Sequence, residues 1–183
     1  MNLPIYPVQK KIVTLVLGDL FPSLELPISE IGDLHAAMES ELKKSGLQFH
    51  PFLLFKIGQL HDSKLTRHCN MLVGSTLSGK STAWKTLAKA KTSLAKENIS
   101  DYTPVTSFVI NPKSITLTEL YGAYDLATFE WADGILSTIF KGCAESDKNE
   151  EKWVLFGESL WLGDNTIIYL VQTGPSMQCG LSQ

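Results

Sequence analysis

Residues Gly74-Ser75-Thr76-Leu77-Ser78-Gly79-Lys80-Ser81 fit the pattern G-x-x-x-x-G-K-[ST]. This pattern works only where a strand ends and a helix begins, so it constrains the chain more than any other stretch. The flanks agree. Asn70 to Val73 is a short apolar run that predicts a buried strand, and Ala83, Trp84, Leu87 and Ala88 fall at helical spacing. Gly74 and Gly79 allow the backbone to turn so that successive N–H groups point inward at phosphate oxygens. A helix starting near Lys80 adds its positive dipole end. Lys80 is then placed to reach β- and γ-phosphates, and the Ser81 hydroxyl to hold Mg²⁺. The expected nucleotide-binding set is Gly74, Ser75, Thr76, Leu77, Ser78, Gly79, Lys80, Ser81 and Thr82, with ATP or ADP as ligand and Mg at Ser81. Leu77 is the discordant member, because a bulky side chain strains the loop if its position needs a positive φ.

Composition excludes several classes. A formal charge of −3 gives no electrostatic footprint for nucleic acid. No apolar run approaches membrane-spanning length, and Lys10-Lys11 with Ile12 to Leu17 lacks a signal-peptide cleavage site. Cys69, Cys143 and Cys179 show neither metal spacing nor a disulfide framework, which points to a reducing, cytoplasmic setting. His35, His50, His61 and His68 are scattered, and no nucleophile–histidine arrangement is readable.

Three domains are expected: a helical lead-in over 1–68, a phosphate-loop α/β core over 69–172, and a loose tail over 173–183. In the lead-in, periodicity predicts helices over 8–21, from an N-cap at Ser29 to Lys44 with Gly46 as the stop, and from Pro51. In the core, Lys89 to Asn98 reads as charged and solvated, Val105 to Ile110 as a strand, and Ser114 to Leu120 as a short helix. Tyr121 to Asp125 reads as a loop, and Phe129 to Phe140 as a helix with Trp131, Ile135, Leu136, Ile139 and Phe140 on its apolar face. Ala144 to Lys152 reads as a polar turn, with strands at Trp153–Phe156 and 166–171. Strands alternating with helices imply a parallel sheet with helices on both faces.

A phosphate loop needs a partner strand beside its own, usually ending in an Asp for Mg²⁺ and often a Glu for the attacking water. Trp153 to Phe156 is the expected strand, but Gly157 follows it and Glu158 comes one position later. Glu158 is therefore either a displaced catalytic candidate near the Mg²⁺ site or a turn carboxylate facing the other way.

Several blocks occur in a recognisable order: Met71 to Gly74 through Trp84-Lys85-Thr86-Leu87, Val109-Ile110-Asn111-Pro112-Lys113, Leu120-Tyr121-Gly122, Glu130 to Leu136, and Lys152 to Phe156. Together they resemble dynein heavy chains, most closely the second of the six AAA+ modules of the motor ring, and the axonemal class over the cytoplasmic. Asp19 to Pro22 and Arg67-His68 resemble the approach to that module, so the resemblance covers about 8–156. It implies a P-loop AAA+ type α/β fold, incomplete and preceded by a helical N-terminal segment. It also implies a place in a microtubule motor of the cytoskeleton and ciliary axoneme, with other AAA+ modules or dynein chains as partners. From Gly157 the chain departs from the family, and the later sensor strand, arginine-bearing segments and small helical subdomain are not recognised. The chain reads as a truncated fragment or short isoform.

Three functions compete. The first is an ATP-binding dynein module that holds nucleotide for structural or regulatory purposes and does not itself bind microtubules. The second is an independent small P-loop NTPase or kinase, for which the single arginine, Arg67, is a poor endowment. The third is a non-binding fragment that acts only by association.

Overall fold

The computed structural model describes Leu15, Val16, Asp19 and residues 31–99, 102–157, 161–162 and 165–173. The chain divides into two units after residue 30, and the three described residues of the first are helical. The rest of the expected 8–21 helix, Ser29, Glu158 and the tail from 174 lie outside the described residues.

The second unit begins with two helices, α1 (Ile31–Lys44) and α2 (Pro51–Thr66). Leu34, Met38 and Leu42 recur at helical spacing on α1 and are fully buried. Gly46, at φ +70°, ends the helix in a Schellman turn: Leu47 N–H donates to Leu42 O and Gly46 N–H to Lys43 O. Leu54, Ile57 and Leu60 give α2 its buried stripe. Strand β1 (Cys69–Ser75) then leads through the loop to α3 (Lys80–Lys96). This helix runs further than expected. Ala90, Lys91 and Leu94 continue the buried stripe of Ala83, Trp84 and Leu87, so the stretch read as solvated is in part core.

Next come β2 (Val105–Ile110), α4 (Leu117–Tyr121), β3 (Gly122–Tyr124) and β4 (Trp131–Asp133). Thr116 starts α4 with a reciprocal capping box: its hydroxyl accepts from Glu119 N–H while Glu119 Oε2 accepts from Thr116 N–H. The expected loop at 121–125 and the first part, 129–134, of the expected helix give way to a hairpin, and the helix holds from Ile135. Asp125 Oδ1 accepts from Ala127 N–H at 2.7 Å, and Phe129 takes φ +56°, which no helix admits. Tyr124 pairs with Trp131 across this hairpin, so Trp131 is an exposed strand residue rather than part of a helix face. Gly122 and Gly134 meet at its base, where a Cβ on Gly134 would lie 2.5 Å from Gly122 N.

Helix α5 (Ile135–Glu145) follows, then β5 (Glu151–Phe156), β6 (Trp161–Leu162) and β7 (Asn165–Thr173). Lys152 Nζ donates to Cys143 O and Ser146 O, which satisfies carbonyls at the end of α5. Successive residues of β5 point to opposite layers. Trp153 and Leu155 pack with α1, α2 and α3, while Val154 packs with Leu136, Ile139 and Phe140 of α5. The expectation of helices on both faces therefore holds.

The sheet order is β1-β7-β5-β2, with β6 on β7. β2 and β5 are parallel, whereas β7 is antiparallel to both β1 and β5. The expected all-parallel sheet is thus corrected to a mixed one, in which β1, β5 and β2 share a direction and β7 opposes them. The strand expected beside the loop's own strand is displaced by one place, because β7 lies between. Chain length explains the reversal. A parallel crossover takes a dozen residues or more, and the connection from Phe156 to Asn165 is shorter than that and ends in the β6–β7 hairpin. The expected burial of β1 is also only half met, since Asn70 is buried but Met71 and Val73 stand exposed on the opposite face.

One polar cluster sits inside the helical layer. Glu151 of β5 pairs with Lys91 of α3, lies 3.5 Å from Lys64 of α2, and accepts from Trp153 Nε1 at 3.0 Å. The Lys64 ammonium stands 3.7 Å from the centroid of the Trp153 ring. Burial pushes the Lys64 pKa down to about 8, against the pull of Glu151. Burial acts to raise Glu151, but Lys91 and then Lys64 outweigh it and hold the carboxyl below its usual range. His61 is pushed down by burial and by Lys91.

Candidate functional site

The phosphate loop lies where the sequence places it, between the C-terminal end of β1 and the first turn of α3. Each conformation in it has a physical reason. Ser78 N–H donates to Ser75 O at 3.2 Å, closing a tight turn. Gly74 sits under that turn, and a Cβ there would come within 2.7 Å of Ser78 Oγ. Gly79 occupies the N-cap of α3 at φ +85°, with no side chain capping the helix. The N–H groups of the first turn are therefore left for an external acceptor. Leu77 adopts φ +66° and is 99% exposed, so the strain anticipated for a leucine at this position is present.

Thr76, Leu77, Ser78, Gly79, Lys80, Ser81 and Thr82 all line one cleft of about 520 Å³. Gly74 and Ser75 lie behind it and take part through their carbonyls. Lys80 Nζ donates to Gly74 O at 2.9 Å, to Ser75 O at 2.6 Å and to Ser78 Oγ at 3.3 Å. The lysine thus folds back on its own loop, and an incoming phosphate must supply better acceptors than these three.

The opposite wall was not legible as a site. It consists of Val109 and Asn111 from the end of β2, Leu155 and Gly157 from the end of β5, Ile168 of β7 and Trp84 of α3. Asn111 sits in the turn after β2 and lines the cleft, and its Oδ1 accepts from Lys113 N–H at 3.2 Å. A polar residue closing an apolar strand is the signal that could have marked it. Gly157 N–H donates to Ile110 O at 3.0 Å, which continues the β2–β5 ladder into the cleft. A Cβ added at Gly157 would meet nothing within 4 Å. The structure does not bring Glu158 into this picture, since it lies outside the described residues. The described lining contains no carboxylate.

The donor set fits a polyphosphate: open helix N–H groups, a glycine-floored turn and one ammonium. It fits Mg²⁺ only as an ion carried by the nucleotide. Ser81 is the one hydroxyl in the expected position, and no group of three His, Cys, Asp or Glu able to hold a metal occurs among the described residues. Arg67 caps the end of α2 before β1 begins, whereas the loop follows β1. The length of the strand, about 20 Å, separates them.

Comparison with known proteins decides the family. The profile described as "Hydrolytic ATP binding site of dynein motor region" matches residues 5–81. The chain is 42% identical over 166 residues to mouse "Dynein axonemal heavy chain 2", covering 85% of this chain. The chain belongs to the dynein heavy chain family. Human "Dynein axonemal heavy chain 2" is 40% identical over 166 residues. "Dynein-1-beta heavy chain, flagellar inner arm I1 complex" of Chlamydomonas reinhardtii is 42% identical over 168. The resemblance to axonemal dynein heavy chains read from the sequence blocks is thereby established. The chain spans about 4% of the length of these dynein heavy chains. The profile match ends at Ser81, inside the phosphate loop, and so includes neither Asn111 nor Gly157.

Proposed function

We propose that this chain is the nucleotide-holding part of an axonemal dynein AAA+ module, the second of the motor ring. In this reading it binds ATP or ADP with Mg²⁺ through residues 74–82, for a structural or regulatory purpose and without turning the nucleotide over. The observation that carries it is the open first turn of α3 above a glycine-floored loop, with seven of the nine expected residues lining one cleft. The cleft supports holding more than hydrolysis, because its described wall offers no carboxylate for the metal or the water and the only arginine lies at the far end of β1. The same two features weigh against an independent NTPase or kinase. Ring neighbours and other dynein chains would be its partners, and the axoneme its place. No helix among the described residues is long and apolar enough to cross a membrane.

The strain at Leu77 and the self-bound Lys80 favour a second reading, a chain that no longer takes nucleotide and acts only by association. Thermal unfolding separates the two. Ligand at 100 times Kd stabilises the native state by about 2.7 kcal/mol. ATP or ADP with Mg²⁺ raises the melting temperature of the parent chain, and Lys80→Ala removes most of the rise. No shift in the parent would leave association as the function.

A further inference from the structure

We propose that the outer edge of β2, together with the basic flank of α3, docks an extended acidic segment of a partner chain as an added strand. β2 ends the sheet and pairs only with β5 among the described residues. Its register fixes which backbone groups face out. Glu151 N–H donates to Pro104 O and Gly157 N–H to Ile110 O, so alternate residues from Pro104 to Ile110 turn toward β5. Val105, Ser107 and Val109 therefore turn the other way. Val105 N–H is taken by Thr92 Oγ1 at 3.0 Å. The N–H and C=O groups of Ser107 and Val109 are left facing out from the edge, and both residues are exposed.

A groove of about 570 Å³ runs between this edge and α3. Its α3 wall carries Lys85, Lys89 and Lys96, all exposed. Its one carboxylate, Glu41, is held by Lys44 at 2.7 Å and by Ser93 at 3.1 Å. The groove is thus positive on a chain whose formal charge is −3. Along the helix Lys85 and Lys96 are about 16 Å apart, the span of about five strand residues. A strand laid on Ser107 and Val109 turns alternate side chains toward that wall, so acidic residues at every second position meet the lysines. Main-chain ladder bonds supply affinity in such docking, and the charges supply selectivity. Lys85 also lines the nucleotide cleft, which puts the end of an added strand next to it.

The test is fluorescence anisotropy with the full chain and a labelled peptide of about nine residues that alternates glutamate with valine. The expected result is saturable binding that weakens about tenfold or more when lysine replaces the glutamates, and by a similar factor in the Lys89→Gln/Lys96→Gln protein. N-methylation of alternate peptide amides, which removes ladder donors without touching the protein, should abolish binding. Equal binding of the acidic and basic peptides would overturn the proposal. So would undiminished binding of the N-methylated peptide, or its displacement by inorganic polyphosphate as readily as by the parent peptide, because the groove would then hold counter-ions and not a strand.

Discussion

Leu72 and Ile168 stand opposite each other across the β1–β7 ladder, and both pack against the helical layer. The pair marks a structural dependence. β1 carries the phosphate loop, β5 and β2 carry the facing wall, and β7 is the strand that joins them in the sheet. Ile168 is buried and also lines the cleft. Ile168→Ala should therefore cost about 2–4 kcal/mol in urea unfolding and weaken nucleotide binding at the same time. A variant that melts like the parent would show that β7 is not the joining strand.

Leu77 holds a left-handed backbone with its side chain almost wholly in water. Nothing is lost in packing when it is replaced, and asparagine tolerates this conformation far better. Leu77→Asn should raise stability by about 1 kcal/mol. An unchanged or lower midpoint in denaturant would mean that the leucine carries no strain.

Gly157 faces the loop across open space. Gly157→Asp places a carboxylate there and should tighten Mg-ATP about tenfold in calorimetry, with little effect on ATP measured in EDTA. Phosphate release should stay at the level of a Lys80→Ala blank, because Arg67 remains at the far end of β1 and an arginine finger is worth about 10³–10⁵ in rate. Turnover near 1 s⁻¹ in the parent chain, lost on Glu158→Gln, would instead make Glu158 a catalytic base.

Local chemistry explains which parts of the fold were legible. The loop, β2, β5, the C-terminal stop of α1 at Gly46 and the start of α2 at Pro51 follow from glycine, proline and apolar periodicity, each of which acts within a few residues. The hairpin of β3 and β4 was missed because Trp131, Ile135 and Ile139 mimic helical spacing. The competing signal was turn chemistry at Asp125 and the positive φ of Phe129. The capping box Thr116-x-x-Glu119 is a local signal that places the start of α4. Burial of Lys91 was not readable, since its partner Glu151 lies sixty residues away and only the fold brings them together. The position of β7 was hidden for a similar reason. An apolar run does not declare the direction in which it pairs.

The Lys64–Glu151 cluster gives a pH signature that the fold alone creates. Lys64 is buried against the Trp153 ring, with its pKa lowered from 10.5 to about 8, and burial is the main cause. In the unfolded chain the same lysine keeps its proton to about pH 10.5. Between about pH 8 and 10.5 the unfolded state therefore binds more protons than the native state, and the Lys64 contribution to stability rises with pH. Below that window the cost of holding the buried charge is fully present. Its upper bound is about 3 kcal/mol at 1.36 kcal/mol for each pKa unit. Glu151 behaves in the opposite sense: its pKa is depressed, so its contribution is present above about pH 4.5 and is lost as pH falls through the folded value. Lys64→Met keeps the bulk over Trp153 and leaves Lys91 on Glu151. It should stabilise the chain near pH 7 and lose that advantage toward pH 10. The measurement is urea unfolding of both proteins across this range, read as the difference between them so that tyrosines and other groups cancel. Parallel pH profiles would mean that Lys64 titrates as an ordinary surface lysine and that its place in the cluster is wrong.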